Sequence, residues 1–228
     1  CQCRNTKPVQ VRSSESVCAE MEEIANIGIR SILFQDDLFP VNSRRVCELC
    51  ESILEKEIKL HWTIKSRADR VDEQMLSLLR RAGCFNVHLG IESGNDKTLL
   101  RMQKDITSQQ VRDAVRMIKQ AGLGCTGNFM LGYPGESESD VRNTIAFASE
   151  LSLDVSQFAI TLELPGTELY AEAVSSGKRK GDVYRDFVLD PLQVDIERLY
   201  ASDQLGEDKL KALMREAYAT SRTLYQVK

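Results

Sequence analysis

Acidic, basic and glycine-bearing clusters recur along this chain, each directly after a short apolar run. They are Gln35-Asp36-Asp37, Lys65-Ser66-Arg67-Ala68-Asp69, Gly90-Ile91-Glu92-Ser93-Gly94, Gly132-Tyr133-Pro134-Gly135-Glu136 and Glu163-Leu164-Pro165-Gly166-Thr167. Gathered at one rim, these residue types can grip a ligand that carries an ammonium, a carboxylate and ribose hydroxyls. Asp36 or Asp37 accepts from the ammonium, Arg67 forks onto the carboxylate, and Glu92 accepts from the diol. The glycines let the backbone approach a flat base closely. Taken singly, an acidic residue at such a place often only caps the next helix. The agreement of all the clusters is what points to a site.

The elements that must position these clusters follow a regular rhythm of helix, glycine and short apolar strand. Ser13 or Ser14 can cap a helix to about Asn26, and Ile29 to Phe34 reads as a buried strand. Asn42 opens a helix over Val46 to Glu57, followed by a strand over Ile58 to Ile64. Asp72 opens Met75 to Arg81, followed by a strand over Asn86 to Ile91. Thr107 and Gln110 form a capping box for Val111 to Gln120, and Gly124 to Leu131 is strand-like. Ser137 and Asp140 open Val141 to Leu151, and Val155 to Leu162 is the last clear strand.

Strands separated by helices at βαβ spacing imply parallel pairing with right-handed crossovers, in a barrel or an open sheet. In both architectures the site lies at the carboxyl ends of the strands. A closed eight-stranded barrel takes about 250 residues. The expected fold is therefore α/β, a partial barrel with one strand missing before Cys1. Residues 1–171 form the expected barrel domain. Residues 172–228 form a C-terminal helical extension, with Leu210, Leu213, Ala217 and Leu224 on one face of a helix from Gly206 to Tyr225.

Composition narrows the function classes. The chain has 228 residues, 42% hydrophobic and 28% charged, with a net charge of −4. That is globular, with no apolar run long enough for a membrane span. Mild acidity argues against general nucleic-acid binding. The seven cysteines are an odd number scattered over a domain-sized chain. They fit reduced thiols of a cytoplasmic protein, or metal ligands, better than a disulfide framework. Cys47-x-x-Cys50 lies inside a helix with no second pair at finger spacing, and reads as structural thiols. Cys18, Cys84 and Cys125 read as buried small residues. Trp62 and the phenylalanines read as core, and Lys178-Arg179-Lys180 as a solvated loop. His61 and His88 read as strand residues, with His88 placed to point into a barrel.

Four of the motifs, in their order and spacing, resemble the radical S-adenosylmethionine superfamily. They are Phe34-Gln35-Asp36-Asp37-Leu38-Phe39, Gly90-Ile91-Glu92-Ser93-Gly94, Phe129-Met130-Leu131-Gly132-Tyr133-Pro134-Gly135-Glu136 and Pro165-Gly166-Thr167-Glu168-Leu169-Tyr170. They look most like the branch associated with cobalamin-binding domains, such as the anaerobic magnesium-protoporphyrin monomethyl ester cyclases. The resemblance covers roughly residues 3–171.

It implies a partial (βα)6 barrel of TIM type with a [4Fe–4S] cluster and S-adenosylmethionine, generating a 5′-deoxyadenosyl radical that abstracts a substrate hydrogen. It also implies cobalamin on a domain preceding Cys1, an electron donor such as flavodoxin or ferredoxin, and a small-molecule substrate. By this resemblance Cys3 is the third cluster cysteine. Cys1 stands one residue from it, where the family pattern has two, and the first cluster cysteine lies upstream of this sequence. Asp36 and Asp37 take the place that meets the methionine amino group. Arg67 is similar to residues that meet the methionine carboxylate, and Glu92 and Ser93 match the ribose motif that Gly90 opens. Met130, Leu131 and Gly132 match the adenine-contacting strand, and Leu164 and Pro165 border adenine.

Two other readings use the same residues. One is a metal-assisted lyase or aldolase barrel, with Asp36, Asp37 and Glu92 on Mg²⁺. The other is a barrel without a cluster and without turnover.

Overall fold

The computed structural model describes residues 11–36, 38–39, 42–178 and 200–221. Cys1, Cys3, Asp37 and Leu224 of the expectations above lie outside them. Parallel strands β1 (Ser31–Leu33), β2 (His61–Ser66), β3 (Cys84–Glu92), β4 (Gly124–Leu131) and β5 (Val155–Ile160) pair in sequence order. The sheet curls into a half-barrel. Helix α1 (Ser14–Asn26) precedes the sheet, and α2 (Ser43–Glu55), α3 (Glu73–Arg81), α5 (Ser108–Gln120) and α6 (Glu138–Glu150) supply the crossovers between the strands. A short α4 (Asp96–Arg101) precedes α5, while α7 (Glu168–Ser175) and α8 (Glu207–Thr220) follow β5. Among the described residues, no helix is long and apolar enough to cross a membrane.

Strand alternation sorts the sheet into two unlike faces. Trp62 and Ile64, Val87, Leu89 and Ile91, Cys125, Phe129 and Leu131 are buried against the helices. Their neighbours turn to the concave face: Thr63 and Lys65, Asn86, His88 and Gly90, Thr126, Asn128 and Met130. The convex face is thus an apolar core and the concave face is polar.

Helix ends follow their capping residues. Asn42 and Asp72 accept from Arg45 N and Met75 N, and Thr107 and Ser137 form complete capping boxes with Gln110 and Asp140. Glycine closes α3 at Gly83, where φ is +99° and an added Cβ would stand 2.3 Å from Leu60 O. The Trp62 indole closes the same corner by donating to Ala82 O at 2.8 Å. At the other end of the sheet, Leu213 and Ala217 of α8 join the core, and Tyr218 donates to Phe158 O at 3.0 Å.

Several expected bounds shift. The first strand is only Ser31–Leu33, because its backbone lies at the edge of the described sheet. The second starts at His61 rather than Ile58. Leu60 is buried without joining the ladder, so its apolar character reports packing. The last parallel strand ends at Ile160, since Leu162 pairs antiparallel with Tyr200.

The described thiols are free and carry no metal constellation. Among the described residues no group of three or more His, Cys, Asp or Glu is placed to hold a metal. Burial pushes the Cys84 and Cys125 thiols up to about 12, and that of Cys50 further. Native chain at pH 8 should therefore leave Cys18, Cys50, Cys84 and Cys125 unmodified by iodoacetamide, as read by peptide mass mapping. All should react in urea, and half-buried Cys47 should lead the described thiols in the native state. Fast native labelling of Cys84 or Cys125 would contradict this packing.

Candidate functional site

The described residues among those selected from the sequence lie at the carboxyl ends of the strands, and the G-x-E-S-G motif at the end of β3 is the hinge of the arrangement. Each of its residues has a separate physical task. Gly90 leaves room: a Cβ there would stand 2.8 Å from Glu92 Oε1 and 3.1 Å from Lys104 Nζ. Ile91 is buried in the core. Glu92 follows a register shift against β4 and has φ +67°, which turns its carboxylate to the concave mouth. For a side-chain-bearing residue that conformation costs on the order of 1 kcal/mol. Ser93 is 0% exposed; its hydroxyl pairs with Thr144 Oγ1 at 3.0 Å and accepts from Asn95 N at 3.1 Å. Gly94 N donates to the same threonine, and its missing Cβ admits Phe147. The Ser93 hydroxyl, expected to meet a ribose, is placed by these contacts where it docks the turn onto α6.

Glu92 has a partner that the sequence did not single out. Lys104 Nζ donates to Glu92 Oε1 at 2.7 Å, with side-chain exposures of 8% and 19%. The Lys104 carbonyl accepts from Arg67 Nη2 at 2.6 Å. Arg67 also forks onto Asp69 at 2.8 and 3.2 Å. Burial works against the Asp69 charge, but the Arg67 hydrogen bond and charge prevail and hold its carboxyl below the ordinary range. Arg67, Gly90, Glu92 and Lys104 are therefore one connected unit. Of the four described non-glycine residues with positive φ, three belong to this locus: Glu92, and Gln103 and Asp105 on either side of Lys104. Such strain gathers where a site over-determines the backbone. A lone lysine in the polar run Gln103-Lys104-Asp105 gives no sequence signal of this role.

The tip after β1 is pinned by aromatics. Phe34 and Phe39 pack ring to ring at 4.7 Å and both lean on Trp62, while Phe39 N donates to Lys65 O at 3.1 Å. Asp36 lies exposed between them.

After β4, the pair Met130–Leu131 divides: Met130 is half-buried on the concave side and Leu131 sits in the core. Of this expected adenine-contacting pair, Met130 is therefore the one on the concave side. Gly132, with φ +76°, is buried where a Cβ would meet Leu210 of α8 at 2.6 Å. Its lack of a side chain is explained by that contact. Glu136 is 0% exposed and accepts from Tyr133 N at 2.9 Å, and burial pushes its carboxyl up. It ties the turn together. Leu164 is half-buried and Pro165 exposed, in a turn that Thr167 closes by donating from N and Oγ1 to Leu164 O.

The concave rows below the rim carry Gln35, Lys65 and His88. Lys65 Nζ donates to Gln35 Oε1 at 3.1 Å, and Lys65 and His88 are register partners. Burial first, and then the Lys65 charge, holds the His88 imidazole below its ordinary range.

The Radical SAM superfamily model matches residues 1–148. Among curated relatives, an uncharacterized methyltransferase of Pyrococcus horikoshii is 33% identical over 192 residues, covering 84% of this chain and 40% of the relative. The anaerobic magnesium-protoporphyrin IX monomethyl ester cyclase of Rubrivivax gelatinosus is 24% identical over 168 residues, covering 72% of this chain and 30% of the relative. Among solved structures, the radical S-adenosylmethionine methyltransferase TsrM from Kitasatospora setae, with cobalamin and a [4Fe-4S] cluster bound, aligns with TM-score 0.67 at 23% identity. That alignment covers 72% of this chain and 34% of that one. The chain thus spans less than half the length of these relatives.

Proposed function

This chain belongs to the radical S-adenosylmethionine superfamily, and from that premise we propose that its half-barrel is the core of an enzyme acting on a small-molecule substrate held at the concave face. The observation that carries the reading is the Arg67–Lys104–Glu92 unit beneath the Gly90 gap, at the carboxyl end of the central strand. That unit fits the cofactor. Glu92 is held in a strained conformation with one carboxylate oxygen on Lys104, which leaves the other to accept from ribose hydroxyls. The Gly90 gap accommodates the sugar without a clash. Asp36, with Asp37 beside it in sequence, would accept from the methionine ammonium. Arg67 would add positive charge near the methionine carboxylate while bracing Lys104. Met130, with Leu164 and Pro165, would offer apolar surface to adenine.

When bound, the cluster and S-adenosylmethionine supply a reductively formed 5′-deoxyadenosyl radical for hydrogen abstraction. The [4Fe–4S] cluster would take Cys3 and Cys1 as ligands, an assignment that rests on the family resemblance. The electron would come from a small redox protein such as flavodoxin or ferredoxin, and cobalamin would come from another domain. The chain's own contribution is to hold the nucleoside, orient it over the concave face and keep water from the reacting centre.

The Mg²⁺ reading has less support: among the described residues Glu92 stands in no cluster of three His, Cys, Asp or Glu, and a lysine ammonium beside its carboxylate competes with a cation. Anaerobic reconstitution of a longer protein that carries the upstream cysteine, with iron and sulfide, should give the visible thiolate-to-iron charge-transfer absorbance of an iron–sulfur centre. It should also give 5′-deoxyadenosine on reduction with dithionite. Cluster absorbance without any cleavage would favour a barrel without turnover, and neither signal would overturn the proposal.

A further inference from the structure

The concave face holds more than the rim needs. One row runs across the sheet from Gln35 through Lys65 and His88 to Thr126. It lies two residues below Arg67 and Gly90, or about 7 Å down the strands. The rows above and below it add Asn128 and Thr63, and Asn86 fixes Thr126 with a 3.1 Å bond. Three cations around the mouth have carboxylate partners, while Arg101 beside the turn after β4 donates to the Thr98 hydroxyl. Lys104 pairs with Glu92, Arg67 with Asp69, and Lys178 with Glu163. Lys65 is different: among the described residues it has no carboxylate partner, and its ammonium is held only by the neutral Gln35 amide. Asp36 stands exposed at the tip above and makes no described contact with it. Thr63, 7% exposed on the same face, keeps a buried Oγ1 with no hydrogen-bond partner among the described residues.

A half-buried ammonium on a polar floor, with neutral groups around it and no counter-charge among the described residues, suits an anion. We infer that the substrate carries a carboxylate or phosphate group, which binds at Lys65 and His88 and leaves its reacting end one row higher, below Glu92. His88 is neutral at neutral pH, because burial and the neighbouring Lys65 disfavour its proton, so it contributes a hydrogen bond and Lys65 the charge. This assignment rests on the proposed function for what lies at the rim. The charge pattern of the floor stands by itself.

The chain contains two histidines, His61 and His88, and both lie on β2 and β3. Chain labelled with ¹⁵N-histidine and titrated with inorganic phosphate at constant ionic strength therefore reports on the floor directly. The His88 imidazole resonances should shift and saturate while those of His61 stay in place. Lys65→Met should weaken that response at least tenfold, and Lys65→Arg should retain most of it. Parallel drift of both histidines, or an unchanged response in Lys65→Met, would overturn the inference. S-Adenosylmethionine binding is measured in parallel on an iron-reconstituted longer protein that carries the upstream cysteine. Cofactor binding with a silent His88 rejects the anion subsite alone. A responsive His88 without cofactor binding rejects the reading of the rim alone.

Discussion

Lys104→Met is expected to lower folding stability by about 2 kcal/mol and to weaken S-adenosylmethionine binding about tenfold or more. The stability loss follows from the pairing. Lys104 is nearly buried and its ammonium is the described charge partner of Glu92. Breaking a fully buried pair costs roughly 3–5 kcal/mol, chiefly through the charge left behind. Glu92 opens partly to the mouth and can turn to water, which brings the expected cost down. Methionine keeps the apolar stem, so lost packing contributes little. The binding loss follows from orientation, since without the 2.7 Å contact Glu92 has nothing to fix its carboxylate. Urea denaturation and calorimetric titration measure the two effects. A double-mutant cycle with Glu92→Gln should show coupling of about 1 kcal/mol or more. A stability change below about 0.5 kcal/mol would mean that the pair is a surface contact in solution.

Gly90→Val should separate the two properties. The backbone there lies outside the positive-φ region, so a side chain is sterically allowed by φ itself. What it displaces is the tip of Glu92 at 2.8 Å and of Lys104 at 3.1 Å, both ends of flexible side chains. The fold can yield by moving those ends, and valine favours strands. Stability should therefore fall by about 1 kcal/mol, the low end of the cost of overpacking, while cofactor affinity falls about a hundredfold or more, because the pair is pushed into the space the nucleoside needs. Gly83→Ala is the counter-case: there the clash is with backbone at 2.3 Å and φ is +99°, so the cost falls on folding and the mouth is untouched. Equal effects of Gly90→Val on folding and on binding would contradict this division.

Much of this arrangement was legible before the coordinates. β4 ended where its apolar run did and β3 one residue beyond its own, because strands buried on the convex face need unbroken alternation. The helix starts were visible in Asn42, Asp72, Thr107 and Ser137, whose side chains do cap. Three things were not legible. α4 is six residues long and its N-cap Asn95 makes no capping bond, because that side chain is spent on Asp140 O. Ser93 looked like a ligand residue, but a serine that docks a turn and one that meets a sugar read alike in a motif. Lys104 was invisible because its role depends on positive φ at Gln103 and Asp105 and on a partner twelve residues back, neither of which has a periodic pattern.

The fold-level and site-level claims converge on one titration. S-Adenosylmethionine is added to the iron-reconstituted protein in a calorimeter, alongside Glu92→Gln and the exposed control Glu150→Gln. The account predicts saturable one-site binding, weakened at least tenfold by Glu92→Gln and unchanged by the control. Binding indifferent to Glu92, or no binding at all once the cluster has formed, would contradict it.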